Sequence, residues 1–345
     1  MSPTTWTITA TTMTTSTVIV LTSHHWLLVW LALELNTLSI LPLIIKRHHP
    51  RATEATTKYF LIQATAAALV LFAGMMNAWQ TGQWNIPHTP STTTTTLIMT
   101  AIMLKLGLAP VHLWYPEVLQ GTTLLTALII STWQKIAPLT LLYLTAHTLP
   151  TPLLLLLGLL SAAIGGLAGL NQTQTRKIMA YSSIAHMGWL LTALAMSPSL
   201  ATLTLTLYIA MTTTLFITLN MTSANTLLDL STSWSYSPTL IITTLIALLA
   251  MGGLPPLTGF MPKLLILKEL ITTNLMMLST IMALASLPSL FFYTRIMYLT
   301  ALTTAPAPTN IKHKWRYKIH YTPHLTTLTM MATMALPLTP LLYTM

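Results

Sequence analysis

The sequence predicts an all-α membrane protein of about eleven transmembrane helices. Two observations support this fold class. Of the 345 residues, 53% are hydrophobic and only 6% are charged, whereas a soluble domain carries roughly 25% charged residues. Apolar runs also follow one another along the whole chain, each long enough to span about 30 Å of hydrocarbon. This composition excludes a soluble enzyme.

The first apolar run is rich in threonine, which a membrane helix tolerates because the hydroxyl can bond back to the helix's own carbonyl groups. The ninth run is too long for one straight helix, and the glycines and prolines of Gly252–Pro256 interrupt it. The predicted spans are 2–22, 25–45, 59–79, 95–115, 122–146, 151–170, 177–197, 199–221, 238–270, 276–302 and 324–343.

Basic residues give the chain a formal net charge of +10, and they fall in short clusters between the apolar runs. We therefore interpret them as loop charges that set membrane orientation, and we expect no nucleic-acid partner. All three clusters follow even-numbered spans, so the N-terminus and the basic loops are predicted to face the interior. The clusters are Lys46, Arg47, Arg51 and Lys58; Arg176 and Lys177; and Lys312, Lys314, Arg316 and Lys318.

Two similar stretches predict an antiporter-like inverted repeat with two broken helices. They are residues 107–117 (GLAPVHLWYPE) and 253–263 (GLPPLTGFMPK), and the predicted topology places them in helices of opposite direction. Backbone groups freed at such breaks are tolerated only where they are buried in protein or line a wet cavity. We predict one membrane domain over 1–345, with a first repeat at about 1–146, a second at about 151–302 and a C-terminal helix at about 324–343.

Ionisable residues inside the predicted spans are the candidate functional groups. Each one near the bilayer centre costs about 2.5–3.5 kcal/mol on insertion scales, so it must pair, face water or lose its charge. Lysine and histidine in such sites can release and regain a proton, and a nearby carboxylate holds the proton on a lysine. These properties predict a proton path over Glu34, Lys105, Lys135, His186 and Lys263.

Other roles stay open for several of these residues. A buried lysine can also brace a helix through carbonyl groups or a fixed ion pair, which is the alternative for Lys135 and Lys263. His112 and Glu117 border the first break, where each is either a gate or connector or a local cap. The chain has no cysteine, which excludes thiolate metal sites and iron–sulfur ligation, and we expect neither a metal nor a cofactor in it.

Four longer stretches carry a resemblance to a known family: 50–60 (PRATEATTKYF), 105–121 (KLGLAPVHLWYPEVLQG), 171–189 (NQTQTRKIMAYSSIAHMGW) and 252–263 (GGLPPLTGFMPK). With the segment order, they resemble NADH–ubiquinone oxidoreductase chain 2 in its animal mitochondrial form. The resemblance implies an antiporter-like subunit in the membrane arm of respiratory complex I, which couples oxidation of NADH by ubiquinone to proton pumping.

The resemblance also implies the surroundings of the chain. NADH, FMN, the iron–sulfur clusters and ubiquinone would be bound on other subunits. Partners would be other membrane-arm subunits and inner-membrane lipids, with cardiolipin as a candidate. The chain would cross the mitochondrial inner membrane several times, with its N-terminus and basic loops in the matrix. The family's proton-path positions fall on Glu34, Lys105, Lys135 and Lys263, with His186 as a connector.

Two other functions remain as alternatives. A free-standing cation/proton antiporter would share the broken helices and buried lysines, but it would need cation-binding carboxylates at mid-membrane, and only Glu34 clearly qualifies. A purely structural subunit would tolerate apolar residues in place of the buried charges. Native electrophoresis with an NADH-oxidation stain separates a subunit of a large enzyme from an independent transporter.

Overall fold

A computed structural model of the chain describes residues 3–46, 49–86, 91–235, 237–303 and 324–340. These residues form fifteen α-helices and no β-strand, which confirms the predicted fold class. The helices are α1 (Pro3–Thr22), α2 (Trp26–Ile45), α3 (Pro50–Thr81), α4 (Thr92–Leu106), α5 (Trp114–Gly121), α6 (Leu124–Ser131), α7 (Trp133–Thr145), α8 (Thr151–Gly169), α9 (Thr175–Met196), α10 (Pro198–Thr222), α11 (Leu227–Thr232), α12 (Pro238–Gly252), α13 (Phe260–Thr272), α14 (Met276–Leu302) and α15 (Leu325–Met334).

Seven helical segments of the described chain are long and apolar enough to cross a membrane: α2, α3, α6 together with α7, α8, α9, α10 and α14. Every predicted span overlaps at least one helix. The count of eleven crossings stays a prediction. Four predicted positions or ranges lie outside the described residues, namely Arg47, the basic cluster within 312–318, the end of the C-terminal helix at 341–343, and residue 2 of the first span.

The chain divides into two compact units, Met1–Leu157 and Gly158–Met345. In the first unit, α2 packs against α1 and α3, and α7 packs against α1, α2 and α4. In the second unit, α10 packs against α9, α12, α13 and α15, while α13 also contacts α9 and α14. The predicted single domain and its repeat boundaries stay predictions.

Glycines let α8 and α9 approach each other backbone to backbone inside the second unit. A Cβ atom on Gly188 would lie 2.5 Å from the Ser161 Oγ and 2.6 Å from the Gly158 carbonyl oxygen. Such close approach of small residues is the usual way in which helices associate where no hydrophobic effect drives them together. The packing fixes α9, which carries the predicted site residue His186.

Both predicted helix breaks are confirmed, and both end in a left-handed glycine. Gly107 caps α4 with φ +69°, and Gly253 caps α12 with φ +81°. Glycine adopts this conformation without a steric penalty. Pro110 and Pro256 follow, and because proline has no N–H, neither can supply the hydrogen bond that would continue the helix. The carbonyl groups at both breaks are therefore available to side chains.

A third break separates α6 from α7, where the sequence predicts one span over 122–146. Thr132, at the junction, has φ −111° and ψ −70°, and its φ departs most from the helical value near −63°. Pro138 lies within the following two turns, and its ring removes a backbone donor and presses against the preceding turn. As a result, Lys135 lies in the first turn of a new helix instead of the middle of a long one.

Candidate functional site

Glu34 and Lys105 face the interior of the first unit from α2 and α4. Lys105 occupies the last turn of α4 and is only 6% exposed, while Glu34 is half-buried. The Glu34 charge acts on Lys105 through Coulomb attraction. However, the buried Lys105 Nζ and the buried Glu34 Oε2 have no hydrogen-bond partner in the described part of the chain. The predicted pair is thus close enough to interact electrostatically but is not joined by a hydrogen bond.

The first break also brings a side chain from α3 onto the Lys105 backbone. The Gln63 Nε2 donates to the Lys105 carbonyl oxygen at 3.3 Å, and Gln63 is buried. The left-handed cap at Gly107 leaves this carbonyl without a regular helical partner, so the amide replaces the missing bond. This contact fixes the peptide that carries the Lys105 side chain.

Lys135 lies beside an aromatic ring. It is 2% exposed, and its Nζ lies 4.8 Å from the centroid of the Tyr115 ring. The face of an aromatic ring attracts a cation electrostatically, and the attraction grows when water is excluded. Tyr115 packs edge-on against Trp114, with ring centroids 5.6 Å apart. The aromatic residues that follow the first break thus form one wall of the Lys135 site.

A buried polar chain joins three helices next to these groups, and sequence reasoning missed it. The Gln134 Nε2 on α7 donates to the Asn36 Oδ1 on α2 at 3.2 Å. The Tyr59 OH on α3 donates to the Gln134 Oε1 at 3.4 Å. These residues are neutral, so the cost of burying a charge does not single them out in the sequence. The one signal available was an amide residue directly before a buried lysine.

Lys263 and His186 lie in the second unit. The Lys263 Nζ donates to the Gly252 carbonyl oxygen at 2.9 Å and lies 6.0 Å from the centroid of the Trp189 ring. Beside it is a cavity of about 480 Å³, lined in part by Trp189 and Gly252. His186 lies one turn before Trp189 on α9, and its ring centroid is 5.8 Å from that of Tyr208. The second break therefore supplies the oxygen that Lys263 binds.

The two residues predicted as a gate or connector flank the first break. His112 is 8% exposed, and its Nδ1 lies 3.2 Å from the Pro110 carbonyl oxygen. The Glu117 Oε2 lies 2.6 Å from the Lys58 Nζ, which ties α5 to α3. Both side chains of this ion pair are about half-exposed, at 49% and 54%, so solvent screens the pair and it adds little to stability.

Buried and half-buried ionisable groups are therefore distributed over both units. Glu34, Lys105 and Lys135 share the first, on helices α2, α4 and α7, and α7 contacts both of the others. His186 and Lys263 share the second, on α9 and α13, which also contact each other. Among the residues that the structure describes, no group of three or more His, Cys, Asp or Glu could hold a metal ion.

Comparison with known proteins identifies the family. Residues 23–289 match the family described as "NADH:quinone oxidoreductase/Mrp antiporter, TM", and residues 290–343 match "NADH dehydrogenase subunit 2 C-terminus". The chain belongs to the NADH–ubiquinone oxidoreductase chain 2 family. It is 55% identical to the member from Latimeria chalumnae, over 94% of this chain and 93% of the relative. It is 50% identical to the member from Scyliorhinus canicula, over 99% of both chains.

Solved structures agree with this family assignment. A chain of respiratory complex I from Thermus thermophilus has a TM-score of 0.77 and 26% identity, and the match covers 95% of this chain and 74% of that chain. A chain of the Mrp complex from Dietzia sp. has a TM-score of 0.79 at 15% identity, with 96% and 74% covered, and shows the shared fold alone.

The functional prediction is confirmed at this level. The chain is an antiporter-like, proton-translocating membrane subunit of complex I, and it is a multi-pass protein of the mitochondrial inner membrane. The C-terminal family match and the relatives at 50% identity or more do not favour a free-standing cation/proton antiporter.

Proposed function

We propose that this chain moves protons through Glu34, Lys105, Lys135, His186 and Lys263 as part of a proton-translocating NADH:ubiquinone reductase. The observation that carries the proposal is the Lys105 side chain, whose buried Nζ has no hydrogen-bond partner although the Glu34 charge acts on it. A buried ammonium without hydrogen bonds is costly, so the site favours gaining or losing a proton over a fixed structural role.

Proton transfer at Lys105 would follow the position of the Glu34 charge. When the carboxylate is close, its attraction offsets the desolvation of the ammonium and the lysine stays protonated. When the carboxylate moves away or is neutralised, Lys105 releases its proton. A proton arriving at Lys135, whose helix packs against α4, would add repulsion of like charge and favour the same release.

His186 and Lys263 would continue the path in the second unit. Lys263 keeps one fixed acceptor, the Gly252 carbonyl, and the adjoining cavity of about 480 Å³ offers room for water. His112 and Glu117 would act as a gate or connector at the first break, where the Lys58–Glu117 pair holds α5 against α3.

The chain would assemble with the other membrane-arm subunits, and its N-terminus and basic loops would face the matrix. The positive charges at the end of α2 and the start of α9 support this orientation. NADH, FMN and ubiquinone would be bound on other subunits, and so would the iron–sulfur clusters, for which this chain has no cysteine ligands. Exposed leucines such as Leu167 and Leu284 support contact with inner-membrane phospholipids, with cardiolipin as a candidate.

The test replaces Lys105 by methionine and Glu34 by glutamine in the whole complex. Sealed membrane vesicles are assayed for NADH oxidation by ubiquinone and for the protons moved per electron, and native electrophoresis measures the assembled complex. We expect either substitution to lower proton-coupled oxidation by at least about tenfold, because each removes a group that gains or loses the proton. The amount of assembled complex should stay normal.

A matched control is Lys46→Met, since Lys46 is an exposed lysine at the end of α2. It removes the same charge from the same unit and should leave turnover within about twofold of the unchanged chain, as exposed substitutions usually do. Full pumping by an assembled Lys105→Met complex would contradict the assignment of the path. Migration of the chain apart from the NADH-oxidising band would contradict its role as a subunit.

A further inference from the structure

We infer that Tyr59, Gln134 and Asn36 form an amide bridge that positions Lys135 for proton transfer. The inference rests on the proposed function, because the bridge acts through Lys135. Its three members come from α3, α7 and α2, and they are separated along the chain by 75 and 98 residues. All three are buried, with 2%, 8% and 2% of their surface exposed. None of the three carries a charge, and we assign them a positioning role.

The hydrogen bonds of the bridge run in one direction. The Tyr59 OH donates to the Gln134 Oε1, and the Gln134 Nε2 donates to the Asn36 Oδ1. A side-chain amide presents its acceptor and its donor on opposite sides, so these two partners fix one orientation of Gln134. A flipped Gln134 amide would set its own oxygen against the Asn36 Oδ1, which cannot donate, so the Asn36 contact fixes the orientation.

The break at Thr132 explains why Lys135 needs such support. A continuous helix would set the direction of every residue through its backbone ladder, but α7 starts afresh at Trp133. Gln134 and Lys135 are the second and third residues of α7, and the Lys135 N–H donates to the Thr132 carbonyl three residues back instead of to a regular helical acceptor. Side-chain contacts therefore add to the backbone in placing Lys135, and its neighbour Gln134 supplies two of them.

A second set of contacts links Tyr59 to the Lys135 side chain through aromatic rings. Tyr59 packs against Trp114 with ring centroids 6.0 Å apart, Trp114 packs against Tyr115, and the Lys135 Nζ faces the Tyr115 ring at 4.8 Å. Tyr59 takes part in both sets, through its hydroxyl toward Gln134 and through its ring toward Trp114. The hydroxyl side orients the backbone that bears Lys135, and the ring side positions the face that its ammonium meets.

The same face of α3 also reaches the backbone of Lys105. Gln63 lies one turn after Tyr59 on α3 and donates to the Lys105 carbonyl oxygen, while Asn36 lies two residues after Glu34 on α2. The amide bridge thus connects the backbone segments of Glu34 and Lys135, and α3 extends the connection to Lys105. Such indirect support by a neighbouring hydrogen-bonded shell commonly decides whether functional groups keep their productive geometry.

The test is Gln134→Met in the assembled complex, with Tyr59→Phe as the milder variant. Methionine keeps the approximate volume of glutamine but makes neither hydrogen bond, and phenylalanine keeps the ring contact with Trp114 while losing the hydroxyl. We expect Gln134→Met to lower proton-coupled NADH oxidation by about fivefold or more, the change that corresponds to roughly 1 kcal/mol for one hydrogen bond. The KM for ubiquinone should not change.

A double-substitution cycle separates positioning from general structural damage. In the Lys135→Met background, Gln134→Met should cause no further loss, because the group that it positions is already absent. The control is Thr56→Val, a buried hydroxyl on α3 whose described hydrogen bonds go to carbonyls of its own helix, at Ala52 and Thr53. This variant should retain turnover within about twofold.

Several outcomes would overturn the inference. One is full turnover of assembled Gln134→Met complex while Lys135→Met is impaired, which refutes the amide bridge and leaves the proposed path intact. Another is that Gln134→Met lowers turnover in the Lys135→Met background by the same factor as in the unchanged chain. Full turnover of Lys135→Met would instead remove Lys135 from the path and the inference with it. If Gln134→Met does not assemble, Tyr59→Phe decides, and unchanged turnover of that variant refutes the bridge.

Discussion

Replacing Lys263 separates two roles that its position suggests, namely stabilising the second helix break and transferring a proton. Its Nζ donates to the Gly252 carbonyl oxygen at 2.9 Å. In an uninterrupted helix that carbonyl would accept from residue 256, but Pro256 has no N–H to donate. Lys263→Met removes both the donor and the exchangeable proton. Lys263→Arg keeps a donor and a positive charge, but an arginine does not release its proton in a protein.

The loss of the hydrogen bond to the Gly252 carbonyl can be measured as a faster exchange of backbone amide hydrogens. Leaving a buried carbonyl without its donor costs about 1–3 kcal/mol. If the break loses that stability, local opening becomes roughly 5- to 150-fold more frequent. The amides to follow are those of Gly253 and Leu254, because both donate back into the last turn of α12. Their exchange should accelerate by this factor in Lys263→Met and stay near the original rate in Lys263→Arg.

The assay is hydrogen–deuterium exchange with mass spectrometry on the assembled complex, together with proton pumping in sealed vesicles. Both variants should lose proton-coupled turnover, since neither can pass a proton at this position. Unchanged amide exchange at Gly253 and Leu254 in Lys263→Met would refute the reasoning that Lys263 stabilises the break. Normal pumping by Lys263→Arg would refute the need for a proton to leave this side chain.

Two further predictions concern packing and orientation. A Cβ on Gly259 would overlap a backbone carbonyl oxygen of α12, so Gly259→Ala should cost about 3 kcal/mol or more and deplete the assembled complex on native gels. Gly252→Ala, whose Cβ would meet only ordinary contacts from 3.6 Å, should assemble normally, and equal assembly of the two would contradict this account. Because the chain has no cysteine, Thr53→Cys and Gln83→Cys place single thiols at the two ends of α3. An impermeant maleimide on the matrix side should label only the first, and labelling of only the second would reverse the proposed orientation.

Local chemistry made the fold class and both named breaks predictable. A run of about twenty apolar residues is long enough to span the bilayer, whatever it packs against. Gly107 and Gly253 end their helices because glycine adopts the left-handed conformation without a steric penalty. Charged residues in apolar runs were recognisable for the same reason, because the cost of burying Lys105 or Lys135 does not depend on knowing its partners. The break at Thr132 was missed because Pro138 can kink a helix without ending it.

What the sequence determined by itself was therefore the membrane class, the broken helices and the list of buried charges, since each follows from a residue and its immediate neighbours. Only the tertiary structure decided which side chains meet. It brought Gln134 to Asn36 across 98 residues, turned Lys263 back onto the Gly252 carbonyl, and left Lys105 and Glu34 interacting without a hydrogen bond. Neutral amides carry no insertion penalty large enough to single them out, so their roles emerge only when packing places them against the charges they support.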